Sequence, residues 1–388
     1  MGRVVRIGFF VLVVSVLAGT ALRQWDVDRR AQRQRNEQRP FIGYGPSGAM
    51  GARGFWAGLA ETDSLSCGRE IAALESLRVV LPEYAPGEKA LALAYAYAGS
   101  SEQAVAAAER YTSLCPGDAE ARLFSALVHL LAGRYDAVDV RLRERLPDSL
   151  RYWTEAIRAG ALAGRGRYED AVAALERSET AAAWDRLRSD ARFEIGRMRL
   201  LQGRTADARR AFLASALDGT DDARVGWGVG RVDLAEGNVA RARAQADALA
   251  DLEGGASGLR SGWAGHLEGA VLLAEGRAAE AVAVLARASR EARAPDRVEI
   301  LTALANACLA AGRAPEARRA VDRALRINPS SVPARVLSAR LYEAAGDLSN
   351  AAADLERALD VWIDADPGLA LRLDAERRLG RLTSAGPP

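Results

Sequence analysis

The sequence predicts an all-α protein in which helix-turn-helix units repeat and stack as a solenoid, preceded by one N-terminal hydrophobic helix. Three observations lead to this fold class. Glycine recurs every 33 to 39 residues from Gly99 to Gly346, a small residue lies seven positions before each glycine, and alanine lies five positions after almost all of them. Self-similarity at a period of 20 to 50 residues is the signature of a repeat architecture.

The N-terminal segment, residues 1–22, contains sixteen uncharged residues at Ile7–Leu22. Sixteen helical residues span about 24 Å against a hydrocarbon core of about 30 Å, so a membrane-spanning helix has to include residues before them. A cleaved signal peptide is the alternative, with Gly19–Ala21 as its small-residue site. We expect an uncleaved single-pass anchor in the cell membrane, through residues 4–22. Arginines on both flanks leave the side of the repeat domain open.

Residues 23–54 are first charged and then glycine-rich, which predicts a tether. Residues 55–84 are predicted to form a degenerate opening repeat, with Ser64–Leu81 as its second helix. Residues 363–388 are predicted to form a capping helix, Leu369–Leu382, and a tail. Terminal helices with a polar outer side cover the apolar face that the last repeat would otherwise expose.

Between these segments, residues 85–362 form about eight units, each with a glycine at its turn. Two helices that cross at 8–10 Å need a small side chain at the contact, which explains the residue seven positions before each turn. In the second unit the alanine expected five positions after Gly133 comes one position early, as Ala137. The turn glycines are Gly99, Gly133, Gly166, Gly203, Gly237, Gly276, Gly312 and Gly346, and the small residues before them are Ala92, Ala126, Ala159, Gly196, Gly230, Gly269, Ala305 and Ala339.

The clearest unit is Val298–Ser331, with its turn at Gly312 and a closing proline at Pro329. Its spacing of alanines resembles the tetratricopeptide repeat family, whose unit is a helix-turn-helix of about 34 residues. The resemblance implies a right-handed superhelix whose first helices line a concave groove, and it implies protein partners bound there as peptides or helices. Asp296 precedes this unit with Glu299 three residues later, the spacing of a capping box. Asp251–Gly262 is the longest predicted irregular stretch.

Composition and motifs argue against several other functions. The formal net charge is only +2, whereas nucleic-acid binding needs clustered positive charge, so no nucleic acid is expected. The two histidines, His129 and His266, are far apart, and no cysteine pair has metal-ligand spacing. We therefore expect no catalytic residue, no metal and no cofactor. Cys308 is predicted to be a small buried residue on a packing face.

Groove-lining residues follow from counting ten and six positions before each turn glycine, since residues four apart share one face of a helix. Arginine, tryptophan and phenylalanine occur there, which are residues that anchor protein interfaces. Packing between neighbouring repeats is the alternative role for the aromatic residues. The selected residues are Phe193, Arg197, Trp227, Arg231, His266, Asn306 and Arg340, with Trp263 as a further aromatic residue of the groove floor.

The sequence therefore predicts a membrane-tethered repeat scaffold that binds protein partners in the concave groove. The arginines at Arg197, Arg231 and Arg340 favour an acidic peptide or helix as the bound segment. Two other functions stay open. One is a secreted or periplasmic repeat protein that acts as an assembly or regulatory factor of an envelope polysaccharide or secretion system. The other is an enzyme with an unrecognised site.

Overall fold

The computed structural model describes residues 64–216, 223–254, 262–292 and 294–384. The predicted hydrophobic segment 1–22, the predicted tether 23–54 and residues 55–63 of the opening repeat lie outside the described residues. Within the described part, no helix is long and apolar enough to cross a membrane. The membrane anchor therefore stays a prediction from the sequence.

The described residues form eighteen α-helices and no strand, which confirms the all-α repeat fold. Helices α2 to α17 pair into eight consecutive hairpins, here called units 1 to 8, with α1 before them and α18 after them. The helices are α1 Ser64–Val80, α2 Ala85–Ala98, α3 Ser101–Leu114, α4 Ala119–Leu131, α5 Tyr135–Arg141, α6 Arg151–Gly164, α7 Tyr168–Ala181, α8 Asp185–Leu201, α9 Thr205–Ala214, α10 Ala223–Ala235, α11 Val239–Gly254, α12 Trp263–Ala274, α13 Ala278–Glu291, α14 Ala294–Ala310, α15 Ala314–Ile327, α16 Val332–Ala344, α17 Leu348–Val361 and α18 Ala370–Ser384.

The turn inside each unit is made by the predicted glycine. All eight of these glycines have positive φ angles between 71° and 79°. A residue with a Cβ atom rarely adopts this left-handed conformation, whereas glycine adopts it without a steric penalty. The predicted turn positions are confirmed.

The residue seven positions before the turn lies where the two helices of a unit cross. A Cβ atom built on Gly269 would come 2.6 Å from Leu285 Cδ2, and one on Gly196 would come 2.7 Å from Phe212 Cδ1. In unit 2 the site five positions after the turn is filled by Val138, which is fully buried, so the early alanine at Ala137 does not occupy that site.

Two local predictions are corrected. Helix α11 continues to Gly254, so the first four residues of the predicted irregular stretch Asp251–Gly262 are helical. Helix α14 begins at Ala294, which places Asp296 inside its first turn and not at its N-cap. The capping-box interpretation of Asp296 and Glu299 is therefore wrong, and Glu299 has a different role described below.

The C-terminal end of the solenoid packs against unit 3. Trp362 Nε1 donates a hydrogen bond to the Gly164 carbonyl oxygen at 3.0 Å, and its ring meets Tyr168 edge to face at 6.4 Å between centroids. The Asp366 amide donates to the Gly166 carbonyl oxygen at 3.0 Å. A single apolar cluster joins units 3 and 4 to unit 8 and α18, so this contact has a hydrophobic core of its own.

A second contact joins unit 7 to units 1 and 2. Ser101 Oγ lies 3.0 Å from the carbonyl oxygens of both Arg326 and Ile327, at the end of α15. The Asn328 side-chain amide donates to the Tyr135 hydroxyl at 3.1 Å. Together with the contact at unit 3, these bonds close one turn of the solenoid on itself. Inside that turn, the first helices of units 4 and 7 contact each other through Arg197 and Glu299.

Candidate protein-binding surface

All eight predicted groove residues lie on the first helices of their units, in five consecutive units from unit 4 to unit 8. Their surroundings differ from one unit to the next. Phe193 and Arg197 are on α8, Trp227 and Arg231 on α10, Trp263 and His266 on α12, Asn306 on α14, and Arg340 on α16.

The aromatic members form one buried cluster with Phe212 of α9. Trp227 lies at its centre, with ring centroids 4.7 Å from Trp263, 6.0 Å from Phe193 and 6.4 Å from Phe212. None of these four side chains exposes more than 7% of its surface. These four side chains contact one another, which fits the alternative role of packing between repeats. Their role in partner binding stays a prediction.

His266 extends the aromatic cluster and is held neutral. Its Nδ1 accepts a hydrogen bond from Trp227 Nε1 at 3.2 Å, so the ring proton of the neutral form is on Nε2. Burial, with a smaller effect of the nearby Arg231 and Arg197, lowers the pKa of His266 to about 4, although Glu299 acts in the opposite direction. The imidazole therefore contributes no positive charge to the interior near neutral pH.

Arg197 is paired with acids from two sides. Glu194, three residues earlier on the same helix, lies 3.2 Å from Arg197 Nη1. Glu299, on α14 three units further along the chain, lies 2.9 Å from Arg197 Nη2. Burial raises the pKa of Glu299, but Arg197, His266 and Arg231 lower it by more, so the carboxyl is ionised at neutral pH.

Besides Arg197, three of the predicted residues remain accessible. Asn306 and Arg340 are exposed, and Arg231 is half-buried. The Arg231 guanidinium lies above the Trp227 ring, 5.8 Å from its centroid, and it forms no ion pair with any described residue. Arg231 and Arg340 therefore provide positive charge that is in no ion pair with the described residues.

The sequence interpretation missed Glu299. A periodicity argument could have found it, because Glu299 lies seven residues before Asn306 and so shares its helix face.

The sequence interpretation also missed four arginines on the convex side, at Arg290 of α13 and at Arg319, Arg323 and Arg326 of α15. All four are exposed, and none is in an ion pair with a described residue. The described residues contain no group of three potential metal ligands.

These features define a helical-repeat protein of the class that presents a continuous surface to other proteins. Models of the tetratricopeptide repeat family match residues 89–137, 158–224 and 272–334. The matched stretches coincide with units 1 and 2, units 3 and 4, and the region around unit 7. The chain therefore contains tetratricopeptide repeats in these stretches.

Three solved structures are similar to the chain at low sequence identity. The APC/C heterotetramer Cut9–Hcn1 is 13% identical with a TM-score of 0.41, over 76% of this chain and 55% of that one, so the chain spans about half of its length. A thermophilic tetratricopeptide repeat protein of Thermus thermophilus is 19% identical with a TM-score of 0.41, over 49% of this chain and 98% of that one. A tetratricopeptide repeat protein of Parabacteroides merdae is 11% identical with a TM-score of 0.42, over 68% of this chain and 98% of that one. No curated protein matches the sequence.

Proposed function

We propose that the protein is a membrane-tethered scaffold that binds an acidic segment of a partner protein on its concave face. Tetratricopeptide repeats imply a scaffold for protein-protein interaction. The first helices of units 4 to 8 supply the binding surface. The tether is the apolar segment at residues 4–22, which places the scaffold at the cell membrane.

The observation that carries the proposal is positive charge outside any ion pair at one repeated position. Arg231 and Arg340 each lie six residues before a turn glycine, on the first helices of units 5 and 8. Neither is in an ion pair among the described residues, whereas most arginines of the described part are paired. A guanidinium group presents paired donors that fit a carboxylate, so an acidic segment matches this surface.

The experiment compares reversal of charge on the two sides of the solenoid. The full chain with a C-terminal affinity tag is purified from membranes as the wild type, as the concave variant with Arg231→Glu and Arg340→Glu, and as the convex control with Arg319→Glu and Arg323→Glu. The partner is identified by mass spectrometry. Recovery from the concave variant should fall by about tenfold or more, because two favourable charge pairs become repulsive.

The convex control should recover the partner as the wild type does, with a similar melting temperature. Each variant changes the net charge by the same amount, so a non-specific effect of charge would lower both recoveries equally. Equal recovery from the concave variant and the wild type would overturn the proposal. Loss from the convex variant alone would move the binding surface to α15.

A further inference from the structure

We propose that Arg197 is a carboxylate-binding residue of the concave face and that Glu299 is its resident ligand, which an acidic side chain of the partner replaces. The inference rests on the proposed function. It names Arg197 as the residue that the partner's carboxylate contacts, and the Arg197–Glu299 pair as the contact that this carboxylate must displace. Glu299 then acts as an autoinhibitory group supplied by the chain itself.

The pair between Arg197 and Glu299 spans 102 residues of sequence. Helices α8 and α14 belong to units 4 and 7, and long side chains reach from one to the other across the interior. Glu194, in contrast, is three residues from Arg197 on the same helix and remains beside it in any arrangement of the units. Only the Glu299 contact depends on how tightly the solenoid curves.

Exchange of one carboxylate for another is favoured by the partial exposure of this pair. A quarter of the Arg197 side chain and about a third of the Glu299 side chain remain accessible. A fully buried arginine would lose its only counter-ion during exchange and would resist it, whereas an accessible one passes from one acid to the next with water present. An incoming carboxylate preserves the charge-assisted hydrogen bonds of Arg197.

Arg231 supplies the second half of the site. It lies on the next first helix, α10, and has no acidic partner among the described residues, although it is near enough to Glu299 to lower the pKa of that carboxyl. A partner segment with two acidic residues gains a contact that Glu299 alone does not make. The ligand class is therefore a segment with at least two carboxylates, and the second one provides the advantage over the resident acid.

The contacts between solenoid turns hold Glu299 in place. Bonds from Ser101 and Tyr135 fix the end of α15, whose unit also contains α14. Loosening these bonds should allow unit 7 to move away from unit 4 and leave Arg197 available. Ser101→Ala removes the hydroxyl that donates to the carbonyl oxygens at the end of α15, and Tyr135→Phe removes the acceptor for Asn328, each with little change in packing volume.

The test measures binding of a defined probe to the full chain in detergent micelles. The probe is a fluorescein-labelled glutamate-rich peptide, compared with the same peptide carrying glutamine at every glutamate. Binding is followed by fluorescence anisotropy for the wild type, Glu299→Gln, Glu194→Gln and Arg197→Gln. Glu194→Gln is the matched control, because it removes the same charge from the same arginine without touching the contact between units.

Glu299→Gln should bind the glutamate peptide about threefold to fivefold more tightly than the wild type, which is the fold-change for removing one partly exposed competing ion pair. Glu194→Gln should change the affinity by less than about twofold, since the local acid is not the group displaced. Arg197→Gln should weaken binding. The double variant with Ser101→Ala and Tyr135→Phe should bind the glutamate peptide more tightly than the wild type, as Glu299→Gln does.

Two results overturn the inference. One is an equal gain from Glu299→Gln and Glu194→Gln, which would show a general effect of charge, and the other is no gain from Glu299→Gln. If the wild type still binds the glutamate peptide through Arg231 and Arg340, only the inference about Glu299 fails. If no variant binds the glutamate peptide in preference to the glutamine peptide, the acidic partner of the proposed function fails as well.

Discussion

Asp366 caps a helix that lies 197 residues earlier in the chain: its Oδ2 accepts a hydrogen bond from the Glu169 amide of α7 at 3.0 Å. The amides of the first turn of a helix have no intrahelical acceptors, so a carboxylate at this end stabilises it. The Gln202 side-chain amide approaches the same oxygen at 3.3 Å. Unit 8 thereby completes a helix of unit 3, and the closed solenoid turn is built partly from such capping.

Replacing Asp366 with alanine should destabilise the protein by about 0.5–2 kcal/mol, the usual cost of losing an N-cap acceptor. The same change should enlarge the radius of gyration measured by small-angle X-ray scattering, because the contact joins distant units. Asp347→Ala is the control, since Asp347 caps α17 of its own unit through Asn350. Both variants should melt earlier, but only Asp366→Ala should expand. An unchanged radius for Asp366→Ala would show that the turn stays closed without this cap.

The crossing glycines should be intolerant of a side chain. Gly269→Ala places a Cβ atom 2.6 Å from Leu285 Cδ2, at a fully buried leucine, and should cost about 1–3 kcal/mol of stability through overpacking. Gly380→Ala in α18 is the matched control, because nothing lies within 4 Å of the Cβ atom that it adds. That variant should be stabilised by about 0.5–1 kcal/mol, as helical alanine is favoured over glycine. Denaturant unfolding of the two variants measures both the expected loss and the expected gain of stability. If the two variants unfold at the same denaturant concentration, the helices that cross at Gly269 can move apart to accept the methyl group.

Stability should fall as the pH is lowered from about 6.5 towards 4. The pKa of His266 is about 4 in the folded protein and near 6.5 when unfolded, so between these values the unfolded chain binds the extra proton. Two and a half pKa units correspond to at most about 3 kcal/mol. His266→Gln should flatten part of this dependence in urea melts at successive pH values. A slope identical to that of the wild type would show that the imidazole is not held neutral.

Truncation after Pro329 should leave a folded but less stable chain. It removes unit 8 and α18, and with them Trp362 and Asp366, which close the solenoid turn on unit 3. It also exposes apolar side chains of α15 that pack against Leu337 and Leu341. Because each unit is stabilised by its neighbours, circular dichroism should show retained helix and a lower melting temperature. Loss of all helical signal would indicate that the repeats fold only as a closed turn.

The sequence by itself determined the repeat class, the number of units and the positions of their turns. These are local properties: a glycine that must adopt a positive φ angle and a small residue at a helix crossing depend on neighbours within one unit of about 34 residues. The same periodicity placed Arg197, Trp227 and Arg340 on first helices. It could not tell whether an aromatic residue on that face is open or packed, because both roles call for the same residue types.

Only the tertiary structure decided which charges are already neutralised and where the solenoid meets itself. The spacing of Glu299 suggested a capping acid, yet its carboxylate pairs with Arg197 three units away. Asp366, Trp362 and Ser101 make equally distant contacts. The physical reason is cumulative geometry: each unit adds a small rotation to the superhelix, and the sum over several units fixes whether distant residues touch. No short stretch of sequence encodes that sum.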